Sequence, residues 1–207
     1  YRPGGVEFLR CVSRFYQGQF DEIGWQASYD LAVRHRNVRT QYLFLALRAE
    51  FDLGEGRALT ALDAIDQALQ ITNKLGTPRP EYHDLRAWAL TVLGRVDDAR
   101  AELHAGEQRL FAAEALRSMG ELDQARVCAL NAYRWAWGEG PPYIHWFHLK
   151  RASALLRDLG VPEPLLPPFD PAKMKSVPFE REIRGAIARL NERKLGRERL
   201  LRRRFGA

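Results

Sequence analysis

His145 and His148 stand three residues apart, a spacing that puts two imidazoles on one face of a helix and that metal sites can use. No third ligand lies nearby in sequence. The intervening Trp146 and Phe147 suit a packed helix, so the pair is expected to be structural, like His35, His83 and His104, which stand alone. Asp97 with Asp98, or Asp63 with Asp66, could serve as acid and base. Both sets fall where helices carry caps and solvated faces, and structural duty is the expectation for them too. Cys11 and Cys128, the only cysteines, lie in apolar helical patterns without a cysteine or histidine at ligand spacing. They read as two buried thiols in a reducing compartment. The chain contains no Gly-x-x-x-x-Gly-Lys-Ser/Thr loop, Gly-x-Ser-x-Gly elbow or His-Glu-x-x-His element. Trp25, Trp88, Trp135, Trp137 and Trp146 are expected to pack between helices rather than to hold a cofactor. No catalytic residue, cofactor or metal ligand is nominated, and a non-enzymatic protein is expected.

The elements that would position these side chains are helices. Apolar residues recur at helical spacing in Val6, Leu9, Val12 and Phe15, in Leu43, Leu47, Phe51 and Leu53, and in Leu59, Leu62, Ile65 and Leu69. Further helices are expected around 80–93, 97–105, 108–119, 121–137, 142–159 and 179–195, separated by short glycine or proline punctuation. No run alternates strictly enough to read as a strand.

The hairpins resemble one another. Leu93-Gly94-Arg95-Val96-Asp97-Asp98-Ala99-Arg100 and Met119-Gly120-Glu121-Leu122-Asp123-Gln124-Ala125-Arg126 share the pattern apolar, Gly, polar, apolar, Asp, polar, Ala, Arg. Weaker copies begin at Gln17-Gly18 and Gly56-Arg57. In the two full copies, glycine is expected to end the first helix in a left-handed conformation, aspartate to cap the next, and alanine to let the two helices approach closely. Gly-x-x-Asp-x-Ala between amphipathic helices resembles the inter-helix signature of the tetratricopeptide repeat family. A second small residue follows at Ala132 and Ala68, while the Gly94 copy has Gly106 there. Spacings of 38 and then 26 residues between Gly56, Gly94 and Gly120 depart from the family period of about 34, so the second helix of the Gly94 copy must be short or its register reset at 105–108. The resemblance, strongest over 80–137, implies an all-α right-handed solenoid of about five helical hairpins, in a degenerate array of the bacterial type.

Three segments are expected: a helical repeat array over 1–160, a proline-rich connector over 161–178, and an amphipathic capping helix with a basic tail over 179–207. The connector holds Pro162, Pro164, Pro167, Pro168, Pro171 and Pro178, which enforce an extended path. Phe179, Ile183, Ala186, Ile187 and Leu190 share one face of the last helix, predicted to dock on the array's open end. This end is similar to carboxyl-terminal sensor regions of bacterial multidomain signalling ATPases of the STAND type. The chain starts at Tyr1, which suggests a piece of a longer regulatory protein.

Formal net charge is +6, but residues 173–207 hold twelve Lys and Arg against four Asp and Glu, leaving the first 172 near neutrality. The surplus concentrates in Arg193, Lys194, Arg197, Arg199, Arg202, Arg203 and Arg204, beside Phe205. That cluster could neutralise phosphates of nucleic acid or anionic lipid, dock on an acidic partner, or simply be a solvated helix end. No apolar stretch nears the roughly 20 residues that span a bilayer, and no leader precedes a cleavage site, so a cytoplasmic protein without membrane contact is expected. The repeat resemblance implies recognition of a protein or peptide on a concave face. Transferred through the Gly94 copy, its inner positions are Glu81, Asp84, Trp88 and Thr91; through the Gly120 copy, Glu107, Glu114 and Arg117; the next helix adds Lys150 and Arg157. The alternative is nucleic-acid binding through the tail.

Overall fold

The computed structural model describes residues 4–17, 19–107, 109–141 and 144–170, together with 172, 179, 181–183, 185–190 and 192. It divides into two compact units, Tyr1–Pro168 and Phe169–Ala207.

Nine helices run through the described residues of the first unit: α1 (Gly5–Tyr16), α2 (Glu22–Arg34), α3 (Val38–Gly54), α4 (Ala58–Lys74), α5 (Pro80–Val92), α6 (Val96–Leu103), α7 (Leu110–Ser118), α8 (Leu122–Trp137) and α9 (Trp146–Asp158). They form successive hairpins. Each odd-numbered helix touches the next odd-numbered one, while α4 sits between α3 and α5 and α8 between α7 and α9. The fold is therefore an all-α repeat of helical hairpins, as the periodicity implies. Helix α6 has only two turns and packs chiefly on α5, which lets α5 and α7 meet directly and accounts for the 26-residue spacing.

Helix ends follow one scheme. The amide of the third residue past the helix returns to a carbonyl five residues back: Arg57 to Asp52 at 2.7 Å, Arg95 to Leu90 at 2.9 Å, Glu121 to Leu116 at 2.9 Å and Val161 to Leu156 at 2.8 Å. This closure requires a left-handed residue just before the donor. Gly56, Gly94, Gly120 and Gly160 supply it with φ of 77°, 76°, 80° and 67°. After α2 the same place is held by Arg36, at φ 51°, whose neighbour Asn37 donates to Ala32. The signature alanines Ala61, Ala99 and Ala125 are wholly buried, as expected.

The capping aspartates differ from expectation. Asp21 does cap α2, accepting from the Gly24 amide at 2.9 Å, but α6 and α8 have Arg95 and Glu121 as N-caps with no side-chain cap bond. The backbone closure draws the next helix in early, so Asp97 and Asp123 fall within the first turn. There they still complement the positive helix end, and Asp123 bridges to Arg126 at 2.8 Å. Helix α1 also rotates from the expected stripe: Val6 and Leu9 are exposed, while Phe8 and Phe15 pack on Phe44 and Phe51. Spacing of seven, not six or nine, keeps a residue on the packed face.

Residues 161–168 belong with the array rather than with a separate connector. Tyr133 donates its hydroxyl to Glu163 at 3.2 Å, and the Trp137 indole donates to the Pro167 carbonyl at 3.0 Å. In the second unit, 181–183 and 185–190 are helical. Phe179, Ile183, Ile187 and Leu190 are exposed there.

Gly120→Ala should lower stability by about 1 kcal/mol, because alanine resists the left-handed region. Arg36→Gly relieves the same strain and should raise stability by up to ~1 kcal/mol. Urea unfolding followed by circular dichroism reads both signs.

Candidate functional site

The short α6 brings the start of α7 beside the start of α5, and between these ends, α8 and α9 lies a cleft of about 420 Å³. Arg79 and Arg109 are the N-cap residues of α5 and α7. Each is flanked by a carboxylate: Arg79 reaches Glu81 at 3.1 Å, Arg109 reaches Glu107 at 3.0 Å. Below Glu107, its amide donates to the Asp84 carboxylate at 2.9 Å. Gly106 is needed here because a Cβ would collide with that carboxylate.

The apolar wall comes from Leu110 and Phe111 of α7, Ala132 and Trp135 of α8, and His148 of α9. The Arg109 guanidinium lies 4.7 Å from the Trp135 ring, His145 stacks on that indole at 4.8 Å, and His148 meets it edge-on at 5.1 Å. The two histidines thus orient an indole, in keeping with their expected structural role. Burial, reinforced by Arg151, His145 and Arg109, lowers the His148 pKa to about 4. The Cys128 thiol is pushed up to about 11 by burial and then by Asp84, which leaves it inert at neutral pH. Cys11 is only half-buried.

Helix α9 also crosses to the first hairpins. Phe147 stacks on Tyr16 at 4.0 Å, and Arg151 is ion-paired with Glu50 of α3. Burial raises the Glu50 pKa, with Arg151 opposing. Burial and then Glu50 push the Tyr16 phenol up to about 12. The face shared by the odd-numbered helices is therefore occupied by the protein's own side chains where α9 meets α1 and α3.

Of the nine candidate positions, Glu81, Asp84 and Glu107 meet at the cleft. Asp84 is 1% exposed and Thr91 9%, so neither is a surface group as expected. The direct α5 to α7 packing turns these α5 positions inward, and Thr91 spends its hydroxyl on the Ala87 carbonyl at 2.9 Å. Trp88 stacks against Phe111 at 6.3 Å. Glu114 and Arg117 pair with each other at 2.9 Å, apart from the cleft lining, as are the exposed Lys150 and Arg157. Trp146 and, to a lesser degree, Trp135 depart from the expected packing of tryptophans between helices, being 65% and 40% exposed. Arg193, Lys194, Arg197, Arg199, Arg202, Arg203 and Arg204 lie outside the described residues. Sequence reasoning missed Arg79, Arg109 and Trp135 as cleft residues. The arginines sit at helix N-caps rather than on an inner helical stripe; Arg79 before Pro80 was the available signal.

Comparison with protein-family models, with curated proteins and with solved structures returns no match. Among the described residues no helix is long and apolar enough to cross a membrane.

Because His148 resists protonation in the fold, the unfolded chain binds a proton near pH 6.5 that the folded chain refuses until about 4. Stability contributed by the neutral imidazole is whole above pH 6.5 and should fall by on the order of 3 kcal/mol between there and pH 4. Thermal unfolding of the native protein and His148→Gln across that window checks it: the variant should lose less.

Proposed function

We propose that the chain is a non-catalytic recognition region, a protein- or peptide-binding scaffold or sensor within a larger bacterial regulatory protein, and that its cleft receives a partner segment of mixed charge. The observation that carries this reading is the juxtaposition of two arginine–glutamate pairs over an aromatic wall. Each arginine keeps guanidinium donors beyond those used by its glutamate, so a partner carboxylate and a partner cation can both exchange into the pairs. The volume falls within the range of about 300–1,000 Å³ usual for ligand sites and suits a few side chains rather than a folded surface. Hairpins with the Gly-x-x-Asp-x-Ala signature support a tetratricopeptide-like array, and the proline-rich segment followed by an amphipathic stretch supports kinship with STAND-type sensor regions.

A library of short mixed-charge peptides, scored by fluorescence anisotropy, tests this. Arg109→Glu should weaken the best peptide at least about tenfold, the worth of one charge-assisted contact of 1.5–3 kcal/mol. Arg117→Glu, outside the cleft, should leave affinity within about twofold, and so should removal of residues 193–207. Unchanged binding in Arg109→Glu would sink the cleft reading. Binding to RNA or DNA that falls steeply with salt and vanishes on the truncation would favour the tail instead.

A further inference from the structure

Beyond the turn that closes α9, the chain lies along α8. Residues 162–168 are neither helix nor strand, and Pro162, Pro164, Pro167 and Pro168 make up most of them. Each proline fixes its own φ at about −65° and bars its predecessor from the helical region. Glu163, Leu166 and Pro167 all precede a proline, so only Leu165 is unconstrained. The segment is thus biased toward the extended polyproline conformation before it touches anything.

Its seat is a row of donors on one face of α8. Tyr133 and Trp137, four residues apart, stand one turn above the other on that face. The Tyr133 hydroxyl donates to the Glu163 carboxylate at 3.2 Å, and the Trp137 indole donates to the Pro167 carbonyl at 3.0 Å. Further back, Arg126 donates to the Leu159 carbonyl at 3.2 Å, where α9 ends. An aromatic N–H or O–H aimed at a proline-rich backbone is how aromatic grooves read polyproline segments, which lose little entropy on docking and so bind through shallow contacts. The contacts here are shallow. Pro164 and Leu166 are half-buried, the other five residues are exposed, and Leu165 is wholly so. None of the seven is fully buried, so an equivalent segment from outside could take their place without disrupting the core.

We propose that the face of α8 bearing Tyr133 and Trp137 is a recognition site for proline-rich protein segments, which residues 162–168 occupy as an internal strap until a partner segment displaces them. The partner chemistry follows from the occupant: an acidic residue for the Tyr133 hydroxyl, a proline directly after it, and a second proline three residues further on whose carbonyl meets the Trp137 indole. The cleft lined by Arg79 and Arg109 uses Ala132 and Trp135 of the same helix, so the two sites are distinct and either can fail without the other.

The test is fluorescence anisotropy of a labelled synthetic peptide copying residues 162–168, titrated with the whole native chain and with a variant whose strap is loosened, Glu163→Ala/Pro164→Gly/Pro167→Gly. A tethered strap competes at an effective concentration on the order of millimolar, so the peptide should bind the variant at least about tenfold more tightly than the native chain. In the loosened chain, Trp137→Phe and Tyr133→Phe should each weaken the peptide several-fold, since each removes one donor and keeps a ring. A peptide with alanine in place of its prolines should bind at least about fivefold more weakly, having lost its preorganisation. Arg109→Glu should change nothing. If the loosened variant loses its helical circular dichroism, Glu163→Ala alone takes its place and should bind the peptide several-fold more tightly than the native chain. The proposal is overturned by absent saturation in the loosened chain, by equal affinity of the native and loosened chains, by full affinity of the alanine peptide, or by full affinity in Trp137→Phe.

Discussion

The structure depends on how closely its helices can approach. Ala49, Ala61, Ala68, Ala87, Ala89, Ala99, Ala112, Ala113, Ala115, Ala125, Ala129 and Ala136 have no exposed surface, and they line the contacts between neighbouring helices. A methyl group at a crossing brings two backbones nearer than leucine allows, and larger side chains then fill the space on either side. Where α6 is cut to two turns, the same small residues let α5 and α7 meet without an intervening helix. The cleft is a consequence: the start of α7 swings beside that of α5, and Arg79 and Arg109 reach the same space.

Charge is placed with equal economy. Asp52 is wholly buried yet accepts from Arg48 and from both Nε and Nη2 of Arg57, tying the body of α3 to the turn that starts α4. A carboxylate in that position is tolerable only with such partners, and removing one would cost more than the pair contributes. Outside the core, Arg86 joins Asp66 and Glu102 at 2.6 Å each, linking α4, α5 and α6, while His83 meets Glu102 at 2.7 Å. The short α6 buries only Ala99 and Leu103, so these polar ties compensate for its small apolar contact.

Most helix positions and the glycine-terminated hairpins were legible in the sequence, because each rests on local chemistry: a left-handed residue, a small residue, a period of 3.6. Helix α2 was not among the expected helices, and the short second helix of the Gly94 copy was one of two alternatives, the other being a register reset at 105–108. The capping role of Asp97 and Asp123 was misread because the backbone closure shifts each helix start by a residue or two. Asp84 and Thr91 were misread for a different reason. Their burial follows from direct packing of α5 on α7, which depends on the length of a helix elsewhere in the chain. Of the residues at the cleft, Glu81 and Glu107 were named in the sequence as inner-face positions of the repeat resemblance, whereas Arg79, Arg109 and Trp135 converge only in three dimensions.

Helix α9 shows why that convergence matters. Phe147 and Arg151 reach α1 and α3, while His148, between them in sequence, lines the cleft beside Trp135. Arg109 and Arg151 both act on His148, and they can do so without mutual cost only because its ring stays neutral and each guanidinium has its own glutamate. Protonating that imidazole would add a third positive charge where the two carboxylates, Glu107 and Glu50, are already taken. An uncharged His148 therefore favours the docking of α9, whose Leu149, Ala152, Leu155 and Leu156 supply its buried apolar face, and burial of the imidazole is what keeps it neutral.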